Sequence, residues 1–303
     1  MRTLAEYLTA TYVPAHLGIS GGYIEQLTVV VQLLDAWHGQ PTRLSSLSDT
    51  LLQRFLAHLL RTRSAATVNS KRRMLLTLWR AAHGDGLVPE LPRHVPKLKE
   101  RRTLPEAWTV AEIERILAVA RMQRGCICDG CGVERRYWWP SLLLMLYTTG
   151  VRVGASLQIR PADISLSDRY LVLRAEVQKD ARPKFCRLSD QSVAAIASVY
   201  DPSRDRVWPW PFTEQYLYRS FKRILRQAGV RYGRGRGGLF HKLRRTSGSL
   251  IEANGGDGSR HLGNTRGVFE RHYCDPRVIG DGQLDRLPRP TFRLSEWRQL
   301  RLF

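Results

Sequence analysis

Arg152, Lys179, His241, Arg244 and Tyr273 are the residues of this chain whose types and order could do chemistry together. Breaking and remaking a phosphodiester without a metal needs cations to neutralise a phosphorane-like transition state, a nucleophile, and a proton donor for the leaving oxygen. Arginine suits the first role because its guanidinium fork donates two charge-assisted bonds to phosphate oxygens. A tyrosine hydroxyl suits the second. The local settings are distinct: Thr149-Gly150-Val151-Arg152 ends an apolar helix, and His241-Lys242-Leu243-Arg244-Arg245-Thr246 opens a later one. Asn264, closing Leu262-Gly263-Asn264, stands nine residues before Tyr273.

Each residue also has a plainer reading. A single Arg in a chain this basic is most often a solvated surface residue, and Tyr273 alone could be a packed aromatic with a satisfied hydroxyl. Cys126, Cys128 and Cys131 invite zinc, but a closed structural site wants four ligands and no second CxxC or HxxxH lies nearby, so a loop with free thiols is the expectation and no metal site is assigned. Cys186 and Cys274 read as ordinary thiols. Trp208-Pro209-Trp210 could stack on a base, yet a packed corner is the favoured reading. The basic runs 97–102 (KLKERR) and 231–236 (RYGRGR) suit backbone contacts to DNA, which supply affinity without sequence choice.

Helices must position these groups. In the first part, Leu27, Val30, Val31, Leu34 and Trp37 share a face of 23–37, and Leu51, Leu52, Phe55, Leu59 and Leu60 share one after Asp49. A third helix runs from about Ala66 to His83 and stops at Gly84-Asp85-Gly86. Residues 91–107 combine three prolines with a run of Lys and Arg, which suits an extended basic connector. Beyond it, Thr109-Val110-Ala111-Glu112 fits a capping box. Helices are expected over about 109–120, 139–148, 190–200, 213–228, 241–253 and 266–273, with strands at 170–177 and 184–188 joined by a polar turn. The fold class is therefore mainly α with a small antiparallel β-sheet (α+β). The domains are 1–92, helical; 93–107, basic linker; 108–280, catalytic; and 281–303, a tail whose Phe292, Leu294, Trp297 and Leu300 suit a contact with a neighbouring protomer.

Composition sets the partner. With 48 Lys and Arg against 27 Asp and Glu over 303 residues, the formal charge is +21, split as +4 in 1–95 and +17 beyond. Such a surface wants a polyanion. Hydrophobic residues at 43% are enough for packed cores. The start has no long apolar stretch and the most apolar run, Leu142 to Tyr147, is too short to span a bilayer, so no membrane partner is expected. Five cysteines, three crowded together, do not make a secreted disulfide framework, and a cytoplasmic location follows.

The segment 148–164 (TTGVRVGASLQIRPADI) resembles the first arginine box of tyrosine recombinases of the phage-integrase type, whose usual form is near TGLRISELLALRWSDI. His241–Thr246 (HKLRRT) resembles the second box, HxLRHT. The stretch 261–273 (HLGNTRGVFERHY) is similar to the third, LGHxxxxxTxxYxH, with Tyr273 nine residues after Asn264. The resemblance covers roughly 105–276 and implies that Arg152 and Arg244 clamp the scissile phosphate. It implies that His241 bonds the same phosphate or helps take the tyrosine proton, that Lys179, between the strands, is the general acid for the 5′-oxygen, and that Tyr273 forms a 3′-phosphotyrosyl link. That link conserves the bond energy, so strands can be exchanged without ATP. No cofactor and no small-molecule substrate is implied. The partners implied are double-stranded DNA, gripped in a C-shaped two-domain clamp, and a homo-tetramer on two DNA sites. The outcome would be integration, excision or inversion.

Two positions depart from the pattern. Asn264 stands where the family has His or, in some members, Trp; it can donate a hydrogen bond but carries no charge, so altered catalysis is expected. Ala155 stands where the first box commonly has Glu. The rival readings are a catalytically impaired DNA-binding relative, a type IB topoisomerase-like activity, and a zinc-dependent DNA binder.

Overall fold

In the computed structural model, residues 2–101, 103–178, 180–233 and 236–280 are described, and the chain divides into two compact units, one up to Thr103 and one from Leu104. In the first unit α1 (Leu4–Tyr7) passes through a π-helical turn (Leu8–Tyr12) into α2 (Val13–Ala15), followed by α3 (Gly21–His38), α4 (Asp49–Leu60) and α5 (Ala65–Gly84). Most of the periodic apolar residues meet as expected, with Leu27, Val30, Val31 and Leu34 packed with Phe55, Leu75, Leu78 and Trp79 in one core, but Leu60, expected on the apolar face of α4, is 43% exposed. Ser20, Ser48 and Ser64 cap the three long helices by accepting an N–H of the first turn. Proline does keep 91–100 out of regular structure, but the segment is tied to its own unit. Asp49 accepts the N–H groups of Arg93 and His94, Arg72 donates to the Val95 carbonyl, and Asn69 pairs with the Leu98 backbone.

The second unit runs α6 (Val110–Arg121), α7 (Arg135–Thr149), α8 (Val153–Ser156), β1 (Ile164–Ser165), β2 (Tyr170–Leu173), β3 (Lys184–Arg187), α9 (Asp190–Ala197), α10 (Glu214–Gln227), α11 (Phe240–Ala253), α12 (Gly258–Leu262), α13 (Arg266–His272) and α14 (Pro276–Ile279). The sheet is antiparallel in the order β1-β2-β3, with Leu171 facing Cys186 and Leu173 facing Lys184 across β2 and β3. The Thr109 capping box forms as the sequence indicates.

Three local readings change. The first strand stops at Leu173, because residues 175–177 close into a 3-10 turn. β1 was not expected, being only two residues long. And α7 begins at Arg135, ahead of the expected 139, although Pro140 lies inside it. Burial of Trp138, Trp139, Leu142, Leu143 and Leu146 on several sides of α7 outweighs the one backbone bond that proline removes. Trp208 is fully buried and donates to Ser141 Oγ (3.0 Å), while Trp210 lies tilted against Trp138 and stacks on Tyr216, so the Trp-Pro-Trp corner is packing.

A close crossing fixes α11 against α12. A Cβ at Gly258 would lie 2.5 Å from the Gly248 carbonyl oxygen and 2.5 Å from Phe269 Cζ. Gly258→Ala is therefore expected to lower stability by about 1–3 kcal/mol through overpacking. Gly267→Ala, where a Cβ meets nothing within 4 Å inside a helix, should be neutral or slightly stabilising. Thermal unfolding of the two variants checks this; equal melting temperatures would contradict the crossing.

Candidate active site

Arg244 is the buried centre of the site. It lies one helical turn after His241 on α11, so both side chains leave the same face. Only 2% of Arg244 is exposed, and its guanidinium bridges two helix ends: Nη1 donates to the Gly150 carbonyl and Nη2 to the Leu262 carbonyl. Gly150 holds the left-handed position (φ 61°) that ends α7, and a Cβ there would lie 2.4 Å from Leu262 Cδ2. Only glycine combines that turn with that approach. Lys184, on β3, makes a parallel bridge one residue away, with Nζ donating to the carbonyls of Thr149 (3.0 Å) and His261 (2.6 Å). Burial, then the Arg244 and Arg152 charges, lower the Lys184 pKa, against the opposing pull of Cys186.

Tyr273 follows the last turn of α13 and is 6% exposed. Its hydroxyl lies 2.9 Å from His241 Nε2, and the Arg244 Cζ lies 5.3 Å from its ring centroid. Arg152 caps the start of α8 and, with Arg244, borders two open cavities. One, of about 770 Å³, also takes in Lys184 and Asn264; the other, of about 440 Å³, takes in His241. Asn264 Oδ1 is 3.5 Å from Arg244 Nη2. Asn264 Nδ2 and Arg244 Nε are buried donors with no acceptor among the described residues. Unmet donors beside two guanidinium groups are what an anionic oxygen would satisfy.

Five of the six sequence-predicted site residues, Arg152, His241, Arg244, Asn264 and Tyr273, thus gather in one region. The sixth, Lys179, lies outside the described residues, as do Arg234 of the 231–236 run and the tail residues Phe292, Leu294, Trp297 and Leu300. The sequence set Lys184 aside in favour of Lys179, and the bridging role of Lys184 and the chain around Asp275 were missed. Nothing in their local sequence marks them, since their partners are distant along the chain. Among the described residues no group of three or more His, Cys, Asp or Glu is arranged to hold a metal ion. Cys131 Sγ instead donates to the Cys128 carbonyl (3.3 Å) within its loop. No helix among them is long and apolar enough to cross a membrane.

Desolvation of the His241 ring, then the charges of Arg244, Arg245 and Arg152, push its pKa down to about 4. The residue as a whole keeps an exposed surface, but the cations act in the same direction, so the lowered value stands. His261, beside Ser247 Oγ (2.7 Å), is pushed to about 4 by burial and by Lys184 and Arg244. Neutral imidazole leaves Nε2 of His241 able to accept the Tyr273 proton when Nδ1 carries the hydrogen. Both histidines bind protons more tightly unfolded, at the ordinary value of 6.5, than folded, so stability should fall as pH drops from about 6.5 towards 4. Melting temperatures across that window should slope less in His261→Gln than in the wild type; identical slopes would contradict the buried, neutral state.

No protein-family model matches the chain. Among curated proteins it is similar to the tyrosine recombinase XerD of Rhizobium meliloti (strain 1021), 24% identical over 229 residues that cover 71% of each chain. It is likewise 25% identical over 228 residues, 68% of each, to the tyrosine recombinase XerD of Agrobacterium fabrum. Among solved structures the same fold occurs in a lambda integrase fragment, as a dimer bound to a COC′ core site. That match has a TM-score of 0.69 and 17% identity, over 97% of this chain and 100% of that one. It occurs also in the Tn1549 transposon integrase in complex with circular intermediate DNA, with a TM-score of 0.62 and 13% identity over 99% of both. The three boxes in order, the fold and the curated relatives agree in making the chain similar to tyrosine recombinases of the phage-integrase type.

Proposed function

We propose that this protein cleaves and rejoins double-stranded DNA at a specific site, with Tyr273 as nucleophile. The observation that carries the reading is the 2.9 Å approach of the Tyr273 hydroxyl to a neutral His241 beside the Arg152–Arg244 pair. Arg244 and Arg152 hold the non-bridging oxygens of the scissile phosphate, and the Asn264 amide donates a further hydrogen bond. As the phenolic oxygen forms its bond to phosphorus, His241 Nε2 receives the phenol proton. The bond to the 5′-oxygen breaks, and that oxygen leaves as a hydroxyl with a proton assigned, by family resemblance, to Lys179. A 5′-hydroxyl from another strand then attacks the 3′-phosphotyrosyl phosphorus and returns the phenol, so the number of phosphodiesters is conserved.

The net charge of +21 supports a polyanion as partner, and a lambda integrase tetramer on a Holliday junction shares the fold (TM-score 0.66, 19% identity, over 88% of this chain and 78% of that one). Four protomers on two DNA sites are the assembly proposed here. Integration, excision and inversion all use the same step.

Nicked duplexes from the DNA flanking the gene test the reading on a denaturing gel. Wild type should form a covalent protein–DNA adduct and Tyr273→Phe none, with DNA binding retained and weakened by salt. Arg244→Lys should slow adduct formation by about 10²–10³-fold, the size of one lost transition-state donor. Binding without adduct from the wild type would leave only a DNA-binding function. Supercoil relaxation without strand exchange would favour the topoisomerase-like activity.

A further inference from the structure

The backbone carrying the nucleophile is held by contacts that the chemical steps do not use. Ser249, fully buried on α11, donates its hydroxyl to the Tyr273 carbonyl (2.7 Å) and accepts the N–H of Asp275 (3.0 Å). Arg245 Nε donates to the His272 carbonyl (2.9 Å) and its Nη1 to the Glu106 carbonyl (3.1 Å). The Asp275 carboxylate, 2% exposed, reaches back 168 residues to accept the N–H of Ala107 at 2.7 Å. It also accepts the N–H (3.0 Å), Nε (3.0 Å) and Nη2 (2.9 Å) of Arg277, whose Nη2 touches the Pro105 carbonyl (3.4 Å). The next residue of this lead-in segment is anchored too: the Trp108 N–H donates to Thr246 Oγ1 on α11 (2.8 Å).

A buried carboxylate is costly unless its oxygens are fully used, and here they are spent on two pieces of backbone distant in sequence. Burial raises the Asp275 pKa, but Arg277 and the Ala107 N–H more than offset it, so the group is ionised at neutral pH. It stands two residues after Tyr273 and, unlike Ser249 and Arg245, which bond the turn from α11, ties it through side-chain oxygens to Ala107 and, by way of Arg277, to Pro105.

We propose that Asp275 is a positioning residue that fastens the Tyr273 turn to residues 105–107, so that the stance of the nucleophile depends on how this lead-in segment is docked. The inference rests on the strand-exchange reading. Asp275 touches no reacting atom. It acts by holding the phenolic oxygen in line with the phosphorus, and an error of about 1 Å in such placement can cost about 10²-fold in rate.

The test separates the nucleophile from the rest of the site. Adduct formation on nicked duplexes is measured for wild type, Asp275→Asn and Asp275→Ala. The same substitutions are then placed in Tyr273→Phe protein, which is offered a DNA strand ending in 3′-p-nitrophenyl phosphate. There a 5′-hydroxyl attacks phosphorus and p-nitrophenolate leaves, a joining that needs the phosphate-binding cations but no tyrosine. Adduct formation should fall about tenfold in Asp275→Asn, which keeps an acceptor for Ala107, and about 10²-fold in Asp275→Ala. Tyrosine-independent joining should stay within about twofold of the Tyr273→Phe parent. Undiminished adduct formation would overturn the inference. So would a parallel loss of joining, which marks general damage to the site. A wild type that forms no adduct on any substrate would sink the strand-exchange reading itself.

Discussion

Two helix ends face each other at the centre of the second unit, and two cations hold them together. α7 finishes with the carbonyls of Thr149 and Gly150 unpaired within the helix, and α12 with those of His261 and Leu262. Every helix leaves such acceptors at its C-terminus, and buried ones must find donors. Arg244 takes one from each end and Lys184 takes the other two. The first box therefore cannot move relative to the third without exposing buried carbonyls, and the second box is the bolt between them. The arginine that would clamp the phosphate is, in the same geometry, a structural pin, and its buried Nε has no acceptor among the described residues.

This double duty shapes the electrostatics. Burial of the two rings, and then the charges of Arg244, Arg245 and Arg152 at His241 and of Lys184 and Arg244 at His261, disfavour a further proton, so both imidazoles are neutral well below neutral pH. Neutral His241 is an acceptor, and it stands next to a phenol. The base thus stays free among cations, although carboxylates are close by: Asp180 lines the cavity shared by Arg152, Lys184 and Arg244, and Glu176 and Glu214 line the one that takes in His241. Asp275 and Glu106 are engaged elsewhere, with backbone and with the Arg277 side chain.

Local signals were legible to the extent that local physics determines them. Apolar periodicity gave α3, α4 and α5, Thr109 with Glu112 gave the start of α6, and box spacing brought Arg152, His241, Arg244, Asn264 and Tyr273 to one place. The misreadings came where packing overrides propensity. The helix expected from 139 opens at Arg135, and the two tryptophans in front of Pro140 are core residues. The apolar run 170–177 argued for a longer strand, but its last part turns before the polar hairpin. Lys184 and Asp275 were illegible for another reason: their partners lie 35, 77 and 168 residues away, and only the folded chain makes them neighbours.

Asn264 can be understood in the same terms. Its side chain lies against a guanidinium already committed to two carbonyls, with Oδ1 turned towards Arg244 Nη2 and Nδ2 left as a buried donor. A charged residue at this position would add to the repulsion among Arg152, Lys184 and Arg244, whereas an amide accepts from one cation and still offers N–H groups to an oxygen anion. The amide loses the option of carrying a proton. In a site where burial and the same charges hold the neighbouring histidines neutral, that option has little to contribute, and the proposed recognition of phosphate would rest on hydrogen-bond donors and the Arg152 and Arg244 guanidinium groups.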